Sequence, residues 1–244
     1  MIISINKNPS ELGIKAGSLA AEKINNAIRE KGEARIVLAT GASQIETLEY
    51  LISQNIDWSR VEIFHLDEYI GLPITHKASF RKYLTERVIS KIKCKAFYAI
   101  ETEKDIRELT KFLTDRIREK PVDVGFIGIG VNGHIAFNDP PADFETREAY
   151  IVVNLDERCK KQQVDEGWFD SLDQVPDKAV SMTVWQIMQC RTIISAVPHK
   201  VKAEAVYNTL TCKVTPEVPA TILKKHEDFN LFLDYNSVSK LITF

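Results

Sequence analysis

The loop at residues 128–140 contains the side chains of this sequence that are best suited to acid–base chemistry. Between Asn132 and Asp139 it carries the imidazole of His134, two amides and a carboxylate. Glycines let a backbone turn tightly and approach a ligand closely, and the loop contains Gly128, Gly130 and Gly133. A Gly-x-Gly turn is also typical of an ordinary strand end, but this many polar groups directly after an apolar run indicate a functional site. We therefore predict that His134 lies in an active or binding site.

A pair of adjacent carboxylates, Asp67 and Glu68, follows another apolar run at residues 61–66. Neighbouring carboxylates are costly to bury without partners and unremarkable when solvated, so their spacing leaves a functional and a surface role equally open. Histidine changes charge near neutral pH, and partial burial can tune a carboxylate towards the same range. Placed near His134, these carboxylates could transfer protons on a small substrate.

A glycine-containing turn at residues 40–43 joins a predicted strand at residues 35–39 to a predicted helix at residues 44–54. Free N–H groups and the helix dipole make such a turn suitable for a phosphate. Ser43 and Glu46 also have the spacing of a capping box, in which Ser43 would cap the helix. One turn can serve both purposes, so both predictions stay open. The residues that could bind a phosphate here are Thr40, Gly41, Ala42 and Ser43.

Two lysines, Lys200 and Lys202, fall in the first turn of a predicted helix that follows Pro198 and runs to Leu210. Cations usually favour the other end of a helix. A lysine at this end therefore either meets an anion or extends into solvent, and the spacing does not decide between the two. A lysine ammonium is a point charge that suits a phosphate, so Lys202 is a candidate ligand.

Strand and helix patterns alternate along the whole sequence. This alternation predicts an α/β fold, a single-domain Rossmann-like three-layer sandwich with a mostly parallel sheet and helices on both faces. No linker or repeat interrupts the pattern, so we expect residues 1–244 to form one domain. The carboxyl ends of parallel strands share one edge, so the polar strand ends should line one crevice. The predicted strands cover residues 2–5, 35–39, 61–66, 95–100, 122–129, 149–153, 192–197 and 231–233.

The composition excludes several classes of protein. The 244 residues are 44% hydrophobic and carry a net charge of -2, which predicts a soluble protein with no nucleic-acid partner. No long apolar run or signal peptide is present, so we expect no membrane partner and a cytoplasmic location. The four scattered cysteines and five histidines show no metal-ligand spacing, and no metal is predicted. A Walker lysine–serine pair and a G-x-S-x-G elbow are also missing.

Two motifs, at residues 67–72 and 128–140, resemble the paired signatures of glucosamine-6-phosphate deaminases. These enzymes form the glucosamine/galactosamine-6-phosphate isomerase family, which is related to 6-phosphogluconolactonase. Residues 40–43 are similar to the family's phosphate turn, and Lys202 falls where the family has a phosphate-binding lysine. The resemblance implies aldose–ketose isomerisation with deamination, converting glucosamine 6-phosphate and water to fructose 6-phosphate and ammonia in amino-sugar catabolism. It implies no cofactor, because two acid–base groups can carry the chemistry.

The resemblance also implies a role for individual residues. Asp67 would be the base that moves a proton from C2 to C1 of the sugar, and His134 would open the sugar ring. Asp139 matches a glutamate that pairs with this histidine, although it is one methylene shorter. Asn132 matches an aspartate of the best-known members, and it could orient the histidine only by hydrogen bonding. The residues expected to bind the phosphorylated amino sugar are Thr40, Gly41, Ala42, Ser43, Glu68, Gly133 and Lys202.

Two alternatives to the deaminase have to be weighed. A 6-phosphogluconolactonase-type hydrolase shares the fold and a glycine–histidine loop, but its histidine is usually followed by an Ala-Ser-Leu-Phe-Pro-like run. Residues 135–140 read Ile-Ala-Phe-Asn-Asp-Pro instead, which favours the deaminase. A non-catalytic sugar-phosphate-sensing module is the second alternative, and the presence of both Asp67 and His134 argues against it. The sequence leaves open a homo-oligomer and the choice between glucosamine and galactosamine 6-phosphate.

Overall fold

The computed structural model describes residues 1–165 and 167–241, which contain strands and helices in alternation. The strands are β1 (Ile2–Asn6), β2 (Ala34–Leu38), β3 (Val61–His65), β4 (Asp67–Tyr69), β5 (Ala96–Tyr98), β6 (Val124–Phe126), β7 (Tyr150–Asn154), β8 (Lys178–Met182), β9 (Thr192–Val197) and β10 (Phe229–Asp234). The α-helices are α1 (Pro9–Lys31), α2 (Ile45–Ile52), α3 (Phe80–Arg87), α4 (Ile106–Arg118), α5 (Glu157–Asp165), α6 (Val184–Ile187) and α7 (Ala203–Thr211).

A seven-stranded sheet with the order β1-β10-β9-β6-β2-β3-β5 forms the centre of the fold. Every neighbouring pair in it is parallel. Strands β2, β9 and β10 are buried along their whole length, as expected for strands covered on both faces. The predicted α/β fold with a mostly parallel sheet is therefore confirmed.

The order of the strands creates a crevice near the middle of the sheet. The chain runs from β2 outward through β3 and β5, and then returns to place β6 on the opposite side of β2. From β6 it builds outward again through β9 and β10. In open α/β sheets, ligands bind at the carboxyl ends of the strands where the order reverses in this way. The loops after β2 and β6 are the two that flank this point.

The sequence predicts a helix that begins at Pro9-Ser10, runs to about Lys31 and is ended by Gly32, and helix α1 has these boundaries. The Asn8 side chain caps it by accepting a hydrogen bond of 2.9 Å from the Glu11 N–H. Gly32 ends it in the left-handed conformation, with φ of 80° and its N–H bonded to the Ile28 carbonyl. Local cap chemistry is sufficient to define such a helix. None of the described helices has the length and apolar character that a bilayer-spanning segment requires.

A second, three-stranded antiparallel sheet with the order β4-β8-β7 was not predicted. The sequence pattern predicts Asp67 at the carboxyl end of the strand at residues 61–66, whereas the structure places Asp67 in a separate strand, β4, where it pairs with Ser181 of β8. Strand β8 runs directly into the short helix α6, so no glycine or proline marks its carboxyl end. Its partner β4 is also more than a hundred positions away, and no local pattern reveals such a pairing.

Candidate active site

An open cavity of about 940 Å³, including the space at its mouth, lies at the carboxyl ends of β9, β6, β2 and β3. The structure therefore brings together polar strand ends that are far apart in sequence. Of the predicted site residues, those that line the cavity are Thr40, Gly41, Ala42, Ser43, Asp67, His134 and Lys202.

All four residues of the turn at residues 40–43 line this cavity. The second half of this segment is one turn of 3-10 helix, Ala42–Gln44, and α2 starts only at Ile45. The predicted capping box of Ser43 and Glu46 is wrong, because Gln44 occupies the N-cap position and no side chain caps α2. Because the 3-10 turn precedes α2, the helix begins after Ser43 and Gln44, and Ser43 is not its N-cap residue. The first N–H groups of a helical turn have no partner within it, which leaves them available to an anion.

Gln44 connects this turn to the far side of the crevice. It is fully buried, and its Nε2 donates hydrogen bonds of 3.1 Å to the Ala196 carbonyl in β9 and to the Ser43 hydroxyl. The bond to β9 crosses the end of the short strand β6, which lies between β2 and β9. Because Lys202 follows β9, Gln44 holds the two predicted phosphate-binding segments close together. Sequence reasoning missed this residue.

The carboxylates of Asp67 and Glu68 point in opposite directions because they are neighbours in strand β4. Asp67 faces the cavity. Glu68 is fully buried on the other side and does not line the cavity, so the structure does not bring it to the predicted substrate site. Its oxygens accept hydrogen bonds of 2.8–3.2 Å from the backbone N–H groups of Tyr69, Phe80 and Arg81, the Ser79 hydroxyl and Arg81 Nε.

These contacts make Glu68 an anchor for the start of α3, and Glu68→Gln is expected to destabilise the fold. The amide nitrogen would face donors, and the buried ion pair with Arg81 would be lost. Breaking such a pair costs about 3–5 kcal/mol of folding free energy. We expect a loss at the lower end of this range because Glu103 would still pair with Arg81 through its bidentate contact. Chemical denaturation would measure the loss, with the half-exposed Glu101→Gln as the control. Unchanged stability together with a raised KM would show that Glu68 contacts the substrate, as the sequence predicted.

Asp67 is 7% exposed although it lines the cavity. Burial raises the pKa of Asp67 well above its ordinary value, and the neighbouring carboxylates of Glu68 and Asp139 raise it further. A carboxylate with a raised pKa is a stronger base once it is deprotonated. The position therefore suits a group that removes a proton from a substrate.

The imidazole of His134 lies directly over the backbone of Gly130. A Cβ atom at Gly130 would be only 2.2 Å from His134 Nε2 and 2.3 Å from Cε1. The loop closes because the Gly130 N–H donates to the His134 carbonyl, at 2.9 Å, and the Gly133 N–H donates to the Gly130 carbonyl, at 3.0 Å. Gly133 itself does not line the cavity, and its φ of 84° assigns it to the turn rather than to the substrate.

Asp139 and Asn132 form the polar support of His134. Asp139 Oδ1 lies 3.1 Å from His134 Nδ1, and it also accepts a 3.0 Å hydrogen bond from Asn132 Nδ2. Asn132 Oδ1 accepts the His134 backbone N–H at 3.1 Å, so Asn132 orients the loop and Asp139 rather than the imidazole. Burial raises the pKa of Asp139, but the His134 imidazole and the Asn132 amide lower it more, so the net pKa is below the ordinary value. The shorter Asp139 thus reaches the ring as a carboxylate.

Strand β8 holds the two halves of the site in one frame. Its Ser181 pairs with Asp67, and the Ser181 hydroxyl accepts a 3.0 Å hydrogen bond from the Phe137 N–H of the histidine loop. Asn138 Nδ2 donates to the Met182 carbonyl of the same strand at 2.8 Å. Asp67 and the loop of His134 are therefore positioned by adjacent residues of one strand. Asn138 and Ser181 were not among the predicted site residues.

Comparison with known proteins places this geometry in a family. The family model described as glucosamine-6-phosphate isomerases/6-phosphogluconolactonase matches residues 7–232. The chain belongs to this family. It is 34% identical to the glucosamine-6-phosphate deaminase of Clostridium novyi over 230 residues, covering 91% of this chain and 94% of the relative. It is 32% identical to that of Lactobacillus delbrueckii subsp. bulgaricus over 244 residues, covering 99% of this chain and 100% of the relative.

Solved structures of the family share the fold. A monomeric glucosamine-6-phosphate deaminase is 27% identical, with a TM-score of 0.88 over 98% of this chain and 99% of that one. The 6-phosphogluconolactonase of Thermotoga maritima is 18% identical, with a TM-score of 0.77 over 96% of this chain and 99% of that one. At this lower identity the likeness concerns the fold alone.

Several other residues that line the cavity were not among the predicted site residues. Helix α5 contributes Gln162 and Gln163, which are both largely buried. His199, three positions before Lys202, also lines the cavity. Two glutamines and a second histidine thus line the cavity besides the predicted residues. The aromatic part of the lining consists of Phe80, Phe137 and Trp168.

One group of potential metal ligands lies beside the cavity. The ligand atoms of His134, Asp139 and Cys159 are all within 4.8 Å of one another. Burial raises the pKa of the Cys159 thiol far above its ordinary value, and the Asp139 carboxylate raises it further. Metals bind the thiolate form, so a metal at this position would have to displace the proton of Cys159. The absence of a metal from the reaction stays a prediction.

Proposed function

We propose that this protein is a deaminase that converts glucosamine 6-phosphate and water to fructose 6-phosphate and ammonia. The observation that carries the proposal is the convergence of Asp67 and His134 on one cavity with the turn at residues 40–43 and Lys202. The names of the relatives with 32–34% identity over most of the chain support the same reaction. The site therefore combines a phosphate-binding end with a proton-transferring end.

The phosphate-binding end consists of the turn at residues 40–43 and Lys202. The turn offers N–H groups of a helical start, and Lys202 offers a positive charge. Because Gln44 ties the turn to β9, both segments can contact one phosphate group. This anchoring would hold the sugar with its reacting carbons towards Asp67 and His134.

The proton-transferring end carries the reaction. His134, paired with Asp139, would move a proton to or from the ring oxygen, and opening of the ring exposes the C1 carbonyl. The carbonyl acidifies C2, so Asp67 can take the C2 proton and deliver it to C1. When a proton of the amino group also passes to the C1 oxygen, C1 becomes an alcohol and C2 an imine, which water hydrolyses to a ketone and ammonia. Each positioned acid–base group contributes roughly 10²–10⁴-fold to such a reaction.

The direct test is an assay of ammonia release from glucosamine 6-phosphate, run in parallel with an assay of 6-phosphogluconolactone hydrolysis. The proposal expects ammonia and fructose 6-phosphate in equal amounts and no hydrolysis of the lactone above the spontaneous rate. Lactone hydrolysis without ammonia release would show that the protein is a 6-phosphogluconolactonase-type hydrolase and not a deaminase. Binding of the sugar phosphate without either reaction would point to the sensing module.

We further propose that residues 1–244 form one domain that acts in the cytoplasm on a phosphorylated amino sugar, without nucleic-acid or membrane partners. The family match over residues 7–232 supports a single domain. Cys94, Cys159, Cys190 and Cys212 are free, which suits a reducing compartment. A homo-oligomer stays a prediction, and one solved relative is described as monomeric.

Lys202→Ala is expected to raise KM for glucosamine 6-phosphate roughly 10- to 100-fold, because a hydrogen bond to a charged group contributes about 1.5–3 kcal/mol. Steady-state kinetics would measure the change, and kcat should fall much less. Lys200→Ala is the matched control, since Lys200 is exposed in the same turn and does not line the cavity. Equal KM values for the two variants would remove Lys202 from the phosphate site.

A further inference from the structure

His199 has a backbone conformation that is unusual for a residue with a side chain. Its φ is 81° and its ψ is 144°, in a region that is essentially restricted to glycine. Among the described residues, the non-glycine residues with positive φ are Ala136 and His199, and both line the cavity. Ala136 has a φ of 49°, close to the ordinary left-handed helical region. The stronger outlier is therefore His199.

Backbone contacts on both sides hold this conformation in place. The His199 N–H donates to Oδ1 of the buried Asp234 at 3.1 Å, and the same oxygen accepts the Ser237 N–H at 2.7 Å. The His199 carbonyl accepts the Lys202 N–H at 3.0 Å and so begins the turn that carries Lys202. A glycine could form all these backbone bonds without strain. These backbone contacts therefore do not require a side chain at this position.

His199 instead lines the cavity beside the segments that are predicted to bind phosphate. It lies three residues before Lys202 and three residues after Ala196, the residue whose carbonyl binds Gln44. Gln44 in turn is the last residue of the 3-10 turn that follows Gly41. His199, Lys202 and the turn at residues 40–43 thus surround one end of the cavity.

We propose that His199 is a ligand of the substrate's phosphate group, a third contact beside Lys202 and the turn at residues 40–43. An imidazole carries at least one N–H donor in either protonation state, so it can donate to a phosphate oxygen. Strained residues that are held by their surroundings cluster at ligand sites, and this ligand role explains why a side chain occupies a glycine-like position. The inference rests on the proposed function, since it assigns the phosphate of that substrate to this end of the cavity.

The decisive variant is His199→Gly, which removes the imidazole and relieves the backbone strain together. The expected result is a protein with an equal or higher Tm, a KM for glucosamine 6-phosphate raised about tenfold, and a kcat within a few-fold of the original. The inhibition constant of inorganic phosphate should rise by the same factor. His199→Ala should raise KM equally without raising Tm, because it keeps the strain.

Rescue and control variants separate a ligand from a structural residue. His199→Asn keeps a donor and tolerates positive φ, so it should recover part of the phosphate affinity. The exposed neighbour changed in Lys200→Ala should leave phosphate inhibition unchanged. A His199→Gly protein with unchanged KM and unchanged phosphate inhibition would overturn the proposal, and so would one that no longer folds, since the strain argument would then be wrong.

Calorimetric binding of inorganic phosphate distinguishes failure of this inference from failure of the proposed function, because it needs no turnover. If the protein releases no ammonia, but binds phosphate and His199→Gly weakens this binding, the ligand role of His199 is supported and the deaminase reaction is contradicted. If the protein releases ammonia and His199→Gly binds phosphate as the original does, the ligand role falls alone.

Discussion

Asp67→Asn is expected to lower kcat for ammonia release from glucosamine 6-phosphate by about 10²–10⁴-fold, with little change in KM. The asparagine has almost the same shape, so strand β4 and its pairing with β8 should persist. An amide cannot accept the C2 proton, and the raised pKa that makes Asp67 a suitable base disappears with the carboxylate. Steady-state kinetics would separate the two constants.

Two control measurements test whether the loss is specific to proton transfer by Asp67. Asp115→Asn changes an exposed carboxylate on α4, away from the cavity, and should leave kcat and KM unchanged. Inhibition by inorganic phosphate should be the same for Asp67→Asn as for the original protein, because the phosphate end is intact. A parallel loss of phosphate binding and turnover would show that Asp67 supports the cavity rather than the proton transfer.

Gly130→Ala is expected to lower kcat by roughly 10²-fold, the effect of a misplacement of about 1 Å in a catalytic group. The new Cβ would lie 2.2–2.5 Å from three atoms of the His134 ring, so the imidazole has to move. The ring is the far end of a flexible side chain, and no backbone atom is among these contacts. Stability should therefore change little, and a denaturation curve recorded with the kinetics would show it.

Gly128→Ala is the matched control in the same loop. Its added Cβ would meet Gln44 Nε2 at 3.6 Å and the Ala39 Cβ at 4.0 Å, which are ordinary van der Waals distances. It should lose far less activity than Gly130→Ala because His134 can stay in place. Comparable losses in the two variants would mean that the loop backbone, and not the position of the imidazole, limits the reaction.

The fold alone does not select the reaction. A 6-phosphogluconolactonase with 18% identity superimposes with a TM-score of 0.77, so both activities are compatible with this architecture. What favours deamination is the chemistry of the site: a buried carboxylate of raised pKa and an imidazole backed by a carboxylate share one cavity with the segments that are predicted to bind phosphate. The assays with the two substrates and the variants at Asp67 and Gly130 therefore test the site rather than the fold.

Periodicity and local chemistry were sufficient to predict a large part of this protein. Helix α1 has the predicted boundaries because its caps, Asn8 and Gly32, are neighbours of the residues they cap. The alternation of strands and helices predicted the parallel sheet, and parallel strands bring their carboxyl ends to one edge by geometry. For that reason Asp67, His134 and Lys202 could be assigned to a common crevice from the sequence by itself.

Only the tertiary structure decided which of two neighbouring groups faces the cavity and what supports it. Asp67 and Glu68 look equivalent in sequence, but the pairing of β4 with β8 directs one to the cavity and the other to Arg81. The contact of His134 with Gly130 and the strained backbone of His199 likewise appear in no sequence pattern. These features depend on pairings between distant segments or on the path of a loop, whereas sequence patterns report only the preferences of neighbouring residues.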